Sequence, residues 1–123
     1  MPSWFRRGGG SEGPAKTFAI PGSAMRDLAR GHGACIATDR ITVDGRKVGV
    51  MLRDAPLEPV DSGWQFLAGD EDQAYLDDPS RSGVYAVNTI ANYDPDIIPF
   101  LDAPIGSRFE RWPLDGPLRP EPE

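Results

Sequence analysis

The stretch ACIATDRITVDGRKVGVMLR, residues 34–53, decides the fold class because its apolar residues follow the short periods typical of β-strands. Asp44-Gly45 in its middle is a strong signal for a two-residue hairpin turn. Three strands are therefore predicted here, at residues 34–38, 39–43 and 46–53.

The remainder of the chain alternates further short strands with turns and brief helices. Strands are predicted at 63–68, 84–88 and 107–112, and helices at 24–30, at 71–77 and from Asp94-Pro95, where Asp94 is an N-cap and Pro95 the first helical residue. The first of these helices is expected to begin after Ser23 and to end at Gly31. The predicted fold is α+β, with a mostly antiparallel sheet of about five short strands and two or three short helices.

Composition sets the expected domain organisation. The chain has 123 residues with 14 Gly and 13 Pro, which favours many turns and fits one domain. We predict a flexible N-terminal segment over 1–16, a single α+β domain over 17–112 and a Pro-rich, irregular tail over 113–123.

The charge is unevenly distributed along the chain. The whole protein carries −6, but residues 34–123 hold 8 basic and 17 acidic side chains, a net charge of −9. An acidic body repels nucleic-acid phosphates and anionic membranes, and it either favours basic partners or simply keeps the protein soluble. No nucleic-acid or membrane partner is expected, and with neither a long apolar run nor a signal peptide the expected location is the cytoplasm.

Cys35 is the only cysteine and lies in an apolar run, where a cysteine behaves as a small buried hydrophobe. His32 is the only histidine, and nothing around the two residues has the pattern of an oriented nucleophile and base. Phosphate-binding glycine loops and paired metal ligands are also absent from the sequence, so no catalytic residue, cofactor or metal site is predicted.

The densest polar group is Gly69-Asp70-Glu71-Asp72. One interpretation is structural: Asp70 caps the helix at 71–77 while Glu71 and Asp72 complement its dipole. The second is an acidic patch that faces a partner. The third is a small metal-dependent enzyme that uses these three carboxylates with Asp94 and Asp96, although consecutive acids have the wrong spacing for a calcium loop.

A second polar group surrounds Tyr93 and includes Asn88 and Asn92. Such residues can line a small-ligand pocket of a regulatory domain, or they can form turns and bond buried backbone. Trp64, beside Gly63, is most simply a core aromatic. Across both polar groups the candidate partner-binding residues are Trp64, Asp70, Glu71, Asp72, Asn88, Asn92, Tyr93 and Asp94.

Four blocks of sequence carry a family resemblance: CIATDRITVDGRKVGVMLRD (35–54), DSGWQFLAGDEDQAY (61–75), GVYAVNTIANYDPDIIPFLDAPIGS (83–107) and FERW (109–112). Over about residues 34–112 the chain resembles the bacterial immunity protein 33-like family, also described as a domain of unknown function. The resemblance implies a cytoplasmic α+β protein without enzymatic activity that binds and neutralises a cognate toxin of a polymorphic toxin system. The family's Gly-Trp and Gly-Asp-Glu positions match Gly63, Trp64 and residues 69–71 here, and the resemblance assigns them no role.

Overall fold

The computed structural model describes residues 16–113 and 115–120, in which six strands form one sheet. The strands are β1 (Ala34–Thr38), β2 (Val50–Arg53), β3 (Asp61–Leu67), β4 (Ser82–Ala86), β5 (Arg108–Arg111) and β6 (Leu118–Pro120). Their order across the sheet is β4-β1-β3-β2-β5-β6. Only the β1–β3 pairing is parallel, and the other pairings are antiparallel. The predicted α+β class with a mostly antiparallel sheet is confirmed.

Helices are few and brief in the described residues. The α-helices are α1 (Asp39–Thr42), α2 (Gln73–Asp77) and α3 (Val87–Tyr93), and 3-10 turns occupy Gly22–Ala24, Pro79–Arg81 and Pro95–Phe100. The last of these begins as predicted, because the side chain of Asp94 accepts a hydrogen bond from the backbone N–H of Asp96 and Pro95 follows directly.

The core lies between the sheet and the layer formed by α1, α3 and the 95–100 turn. Trp64 and Phe66 point to this side of β3 and stack with their ring centroids 6.1 Å apart. Phe109 on β5 packs 6.4 Å from Trp64 and 4.5 Å from Phe100. Burying aromatic rings in contact with one another supplies a large share of the hydrophobic stabilisation of a domain this small.

The predicted hairpin at residues 39–45 is wrong. Residues 39–42 form α1, and Gly45 adopts a φ of 77° after it. The N–H groups of Gly45 and Arg46 bond back to the carbonyls of Ile41 and Arg40, at 3.0 and 3.1 Å. Asp44-Gly45 therefore ends a helix, which needs the same left-handed glycine conformation as the hairpin turn that the sequence predicted.

The strand predicted at 84–88 is shifted, and the helix that follows it was missed. β4 ends at Ala86 and α3 begins at Val87. Val87, Ile90 and Ala91 are all buried. Their spacing of three and four residues is the helical period, but the β-branched residues around Asn88 favoured a strand interpretation.

The helix predicted at 24–30 is wrong. Apart from the short turn at Gly22–Ala24, this segment is irregular. Side-chain amides on α3 take up its backbone N–H and C=O groups, so that a helix is not required to satisfy them.

The tail is more ordered than predicted from its prolines. Leu118–Pro120 pairs with β5, and Leu118 is buried in the core. The predicted flexible segment lies outside the described residues, apart from Lys16, which forms a 2.7 Å ion pair with Asp39. The division of the chain into three segments otherwise remains a prediction.

Candidate functional site

The acidic residues singled out in the sequence gather at one end of the sheet. Because β1 and β3 are parallel, Thr38 and Leu67 end at the same side. Val50 pairs with both Leu67 and Glu110, so β5 also ends at this side. Crevices beyond the carboxyl ends of parallel strands commonly hold functional residues.

Glu71 ties the ends of β1 and β3 together. Its carboxylate accepts hydrogen bonds from the Thr38 hydroxyl at 2.5 Å and from the backbone N–H groups of Ala68 and Gly69, each at 2.8 Å. Three donors leave little capacity for an external ligand, so Glu71 positions the turn between β3 and α2.

Asp70 is exposed at this end and held by two arginines. Arg46 bonds one carboxylate oxygen at 2.6 Å and Arg40 the other at 2.9 Å. Partial desolvation alone would raise the pKa of Asp70, but the hydrogen bond and charge of Arg46, with those of Arg40, outweigh it and hold the pKa below its usual value. Asp70 therefore stays ionised and in a fixed orientation.

Asp72, and not Asp70, is the N-cap of α2. Its side chain accepts a 2.8 Å hydrogen bond from the backbone N–H of Tyr75. The guanidinium groups of Arg40 and Arg81 lie 4.6 and 5.3 Å from the centroid of the Tyr75 ring. The structural interpretation of the acidic group is thus right in kind, but the cap falls two residues later than predicted.

Asp94 is fully buried and forms an ion pair with Arg111. The Nη2 atom of Arg111 donates to Asp94 at 2.6 Å and to Asp96 at 3.0 Å. Asp94 also accepts from the backbone N–H of Val48 at 3.0 Å. These contacts anchor the 95–100 turn to the end of β5. Because Asp94 is buried, it can affect a partner only indirectly, by holding this turn in place.

Asn88 and Asn92, one turn apart on α3, hold the irregular segment at 26–29. Asn88 Oδ1 accepts from the backbone N–H groups of Leu28 at 2.7 Å and Ala29 at 2.8 Å. Asn92 Oδ1 accepts from the N–H of Arg26, whose carbonyl accepts from both amides. Both amides therefore bond backbone, and Asn88 also borders the groove between β4 and the 27–33 loop.

Tyr93 and Trp64 also make internal contacts. The Tyr93 hydroxyl donates to the Thr42 carbonyl at 2.8 Å and accepts from the N–H of Ile20 at 3.1 Å. Trp64 is buried, and its Nε1 donates to the Leu101 carbonyl at 3.1 Å. Trp64 is thus a core aromatic, as its simplest interpretation predicted.

The geometry gives little support to catalysis. In residues 16–113 and 115–120, no group of three or more His, Cys, Asp or Glu side chains is placed to hold a metal ion. Cys35 is buried, and burial raises the pKa of its thiol far above the ordinary value. A nucleophilic cysteine needs the opposite shift.

Trp112 is the surface residue that the sequence analysis missed. It is 76% exposed, whereas tryptophans are highly buried on average. The signal was available in the alternation along β5: Phe109 and Arg111 point inward, so Arg108, Glu110 and Trp112 point outward.

Trp112 directly follows Arg111, so it lies at the same end of the sheet as the exposed carboxylates. Asp70, Asp72 and Asp96 are all exposed there. We call the exposed side chains of Asp70, Asp72, Asp96 and Trp112 the carboxyl-end surface. An exposed aromatic at the same end of the sheet as Asp70 and Asp96, which arginines hold in place, suits contact with another protein.

The fold defines a small α+β domain with helices covering one face of its sheet. Residues 35–119 match the family model of the immunity protein Imm33 domain, and the chain belongs to this family. No curated protein and no solved structure is significantly similar to the chain. In the part of the chain that the structure describes, every helix is too short or too polar to cross a lipid bilayer.

Proposed function

We propose that this immunity protein neutralises a cognate toxin by direct protein–protein contact and without enzymatic activity. The observation that carries the proposal is the match of residues 35–119 to an immunity-protein family. The geometry is consistent with it, since Glu71, Asp94, Asn88 and Asn92 all serve internal hydrogen bonds. We further propose that the contact is made in the cytoplasm, where such a protein would meet a toxin that attacks the cell's interior.

The carboxyl-end surface is the region we propose for this contact. Trp112 offers a large, exposed aromatic ring, and tryptophan is among the residues that most often dominate binding energy at interfaces. Arg46 and Arg111 hold Asp70 and Asp96 in fixed orientations at 2.6 and 3.0 Å. Side chains ordered before binding lose less conformational entropy when a partner docks.

Charge supports a basic partner. Residues 34–123 carry a net charge of −9, which speeds association with a positively charged protein and repels nucleic acid. Toxins that act on nucleic acid present basic clefts, and an acidic immunity protein can occlude such a cleft. The expected association rate falls as salt is added, because exposed charges are screened.

The experiment is co-expression with the protein encoded next to this chain, scored by growth of the host. The neighbour should arrest growth alone, and the immunity protein should restore it. Trp112→Ala should weaken rescue and raise the Kd measured by calorimetry at least tenfold, since truncating a central aromatic costs about 2 kcal/mol or more.

Ile105→Ala is the matched control, because Ile105 is also apolar and 56% exposed but precedes β5 and so lies at its opposite end. Rescue by Ile105→Ala should equal that of the unaltered chain. A neighbour that is harmless alone, or that stays toxic beside the unaltered chain, would overturn toxin neutralisation. Equal loss of binding in both variants would reject only the assignment to the carboxyl-end surface.

A further inference from the structure

One border of the sheet is an open strand. Among residues 16–113 and 115–120, β4 lies at the end of the strand order and pairs only with β1. Val84 in its centre is 57% exposed, and Ala86 is also exposed. An edge strand of this kind offers backbone groups to which another extended chain can pair.

The register shows which backbone groups of β4 are free. Val87 N–H donates to the Gly33 carbonyl at 2.9 Å, directly beyond the pair Ala34–Ala86. Hydrogen-bonded pairs alternate along an antiparallel ladder, so residues 83 and 85 bond to β1 while 82, 84 and 86 point away from it. Both backbone groups of Val84 and the N–H of Ala86 therefore face outward.

The two borders of the sheet differ in protection. β6, at the far border, is only three residues long, ends in Pro120 and carries Arg119. Proline, charge and short length are the usual means of blocking an edge. β4 reads Ser-Gly-Val-Tyr-Ala, without proline or charge. In the described part of the chain its outward backbone groups have one cover, a 3.1 Å hydrogen bond from Lys16 Nζ to the Ser82 carbonyl.

An apolar groove accompanies this strand. It has a volume of about 600 Å³ and runs between β4 and the loop at 27–33, with Ala34, Val60, Val84 and Ala86 among its lining residues. Val60 is 66% exposed. A strand added to β4 would place every second side chain over this groove, because side chains alternate between the two faces of a sheet.

We propose that β4 pairs with β4 of a second copy of this chain, antiparallel and centred on Val84, to give a symmetric dimer with a continuous sheet. At the centre, each Val84 N–H donates to the Val84 carbonyl of the other copy. On either side, Ala86 N–H of one copy reaches the Ser82 carbonyl of the other, which has a second lone pair free beside Lys16. The exposed Val60 and Val84 side chains of the two copies then cover one another.

Charges at the two ends of β4 favour a second copy as the occupant. Before the strand, Asp78 and Arg81 form a pair at 3.6 Å, and beside its far end Asp27 and Arg30 form a pair at 3.3 Å. Antiparallel pairing about Val84 places the N-terminal end of β4 in one copy beside the C-terminal end of β4 in the other. Each end therefore brings one acid and one base to the other copy, so the pairing sets no net like charge against another at either end.

Sedimentation velocity over a range of protein concentrations tests the proposal without a toxin. The mass should rise from 13.4 kDa toward twice that value as the concentration increases. Val84→Pro removes the outward N–H without touching the ladder to β1, and Val84→Lys places two like charges at the symmetry axis; both should remain monomeric. Val84→Thr, which keeps the backbone donor and the β-branched shape, should still dimerise.

Hydrogen exchange of the unaltered chain gives a reading that needs no variant. The amides of Val84 and Ala86 should exchange slowly when concentrated and at least tenfold faster when diluted. A chain that stays monomeric at its solubility limit, or a dimer that survives Val84→Pro with the fold intact by circular dichroism, overturns the proposal. A monomer in which Val84→Pro abolishes toxin rescue overturns it too, because the toxin would then be the occupant of β4.

Discussion

Replacing Arg111 with methionine tests whether the buried ion pair holds the end of the sheet together. The guanidinium is 4% exposed and donates to Asp94, Asp96 and the carbonyls of Val48 and Gly116. Methionine fills similar space but leaves the fully buried carboxylate of Asp94 without a counter-charge. Removing one partner of a buried pair costs about 3–5 kcal/mol.

That loss is large beside the total stability of a domain of this size, which is about 5–15 kcal/mol. In urea, with a slope of roughly 1.5 kcal/mol per molar, the unfolding midpoint should fall by about 2–3 M. Circular dichroism at equilibrium measures this shift. Arg119→Met on β6 is the control, and its effect should stay within about 0.5 kcal/mol because Arg119 is exposed.

A second substitution separates two contributions to the expected loss of stability: the uncompensated charge of Asp94 and the lost packing of Arg111. Asp94→Asn in the Arg111→Met background removes the buried charge while keeping a side chain that can still accept from Val48, so it should recover about 1–3 kcal/mol. The reasoning is refuted if Arg111→Met costs less than about 1 kcal/mol or if the double variant is no more stable than the single one.

Asn88→Ala should destabilise the protein by about 0.5–1.5 kcal/mol and speed proteolysis within residues 26–29, since the backbone N–H groups of Leu28 and Ala29 lose their acceptor; unchanged cleavage would contradict this. Gly63→Ala should prevent stable folding, because Gly63 has a φ of 85° and an added Cβ would lie 1.9 Å from a backbone oxygen. Gly22→Ala, with nothing within 4 Å, is its control in thermal melts. For Asp70, the lowered folded pKa stabilises the protein above the unfolded value near 3.8, and this contribution disappears as pH falls through the folded pKa. Asp70→Asn should therefore be less stable than the unaltered chain at pH 7, and the difference should shrink as the pH falls below 3.8; a difference that does not shrink would count against the ion pairs.

Elements with an unbroken local pattern could be predicted from the sequence. The strand around Trp64 and Phe66 places both aromatic residues on one face, and Asp94-Pro95 fixes a helix start through the Asp94 side chain and the Pro95 ring. In both, neighbours in sequence supply the contacts that decide the conformation. Tertiary contacts were not needed to recognise them.

Elements decided by distant contacts could not be predicted. Asp44-Gly45 suits a hairpin and a helix end equally, and the burial of Ile41 against the sheet selects the helix. The segment predicted as a helix at 24–30 is instead held by amides more than 50 residues away in sequence. Single-residue propensity carries no information about such partners.

In the candidate site, too, some features could be predicted from local sequence and others depend on distant contacts. Acidic residues at 70–72 could be found from composition, but which of them caps α2 depends on the arginines that draw Asp70 away. Trp112 was predicted to end the last strand. Alternation along β5 places its side chain outward, and it is exposed. Patterns of alternation locate surfaces better than residue type alone.

The side-chain amides of Asn88 and Asn92 on α3 fix the main chain of residues 26–29 but not its side chains. The hydrogen bonds that Asn88 and Asn92 make to residues 26–29 all go to main-chain atoms of that segment. The backbone path of residues 26–29 is therefore determined by two side chains of α3 and not by the side chains of the segment itself. Side chains at 26–28 can therefore change without loss of these hydrogen bonds, whereas replacing either amide would remove them.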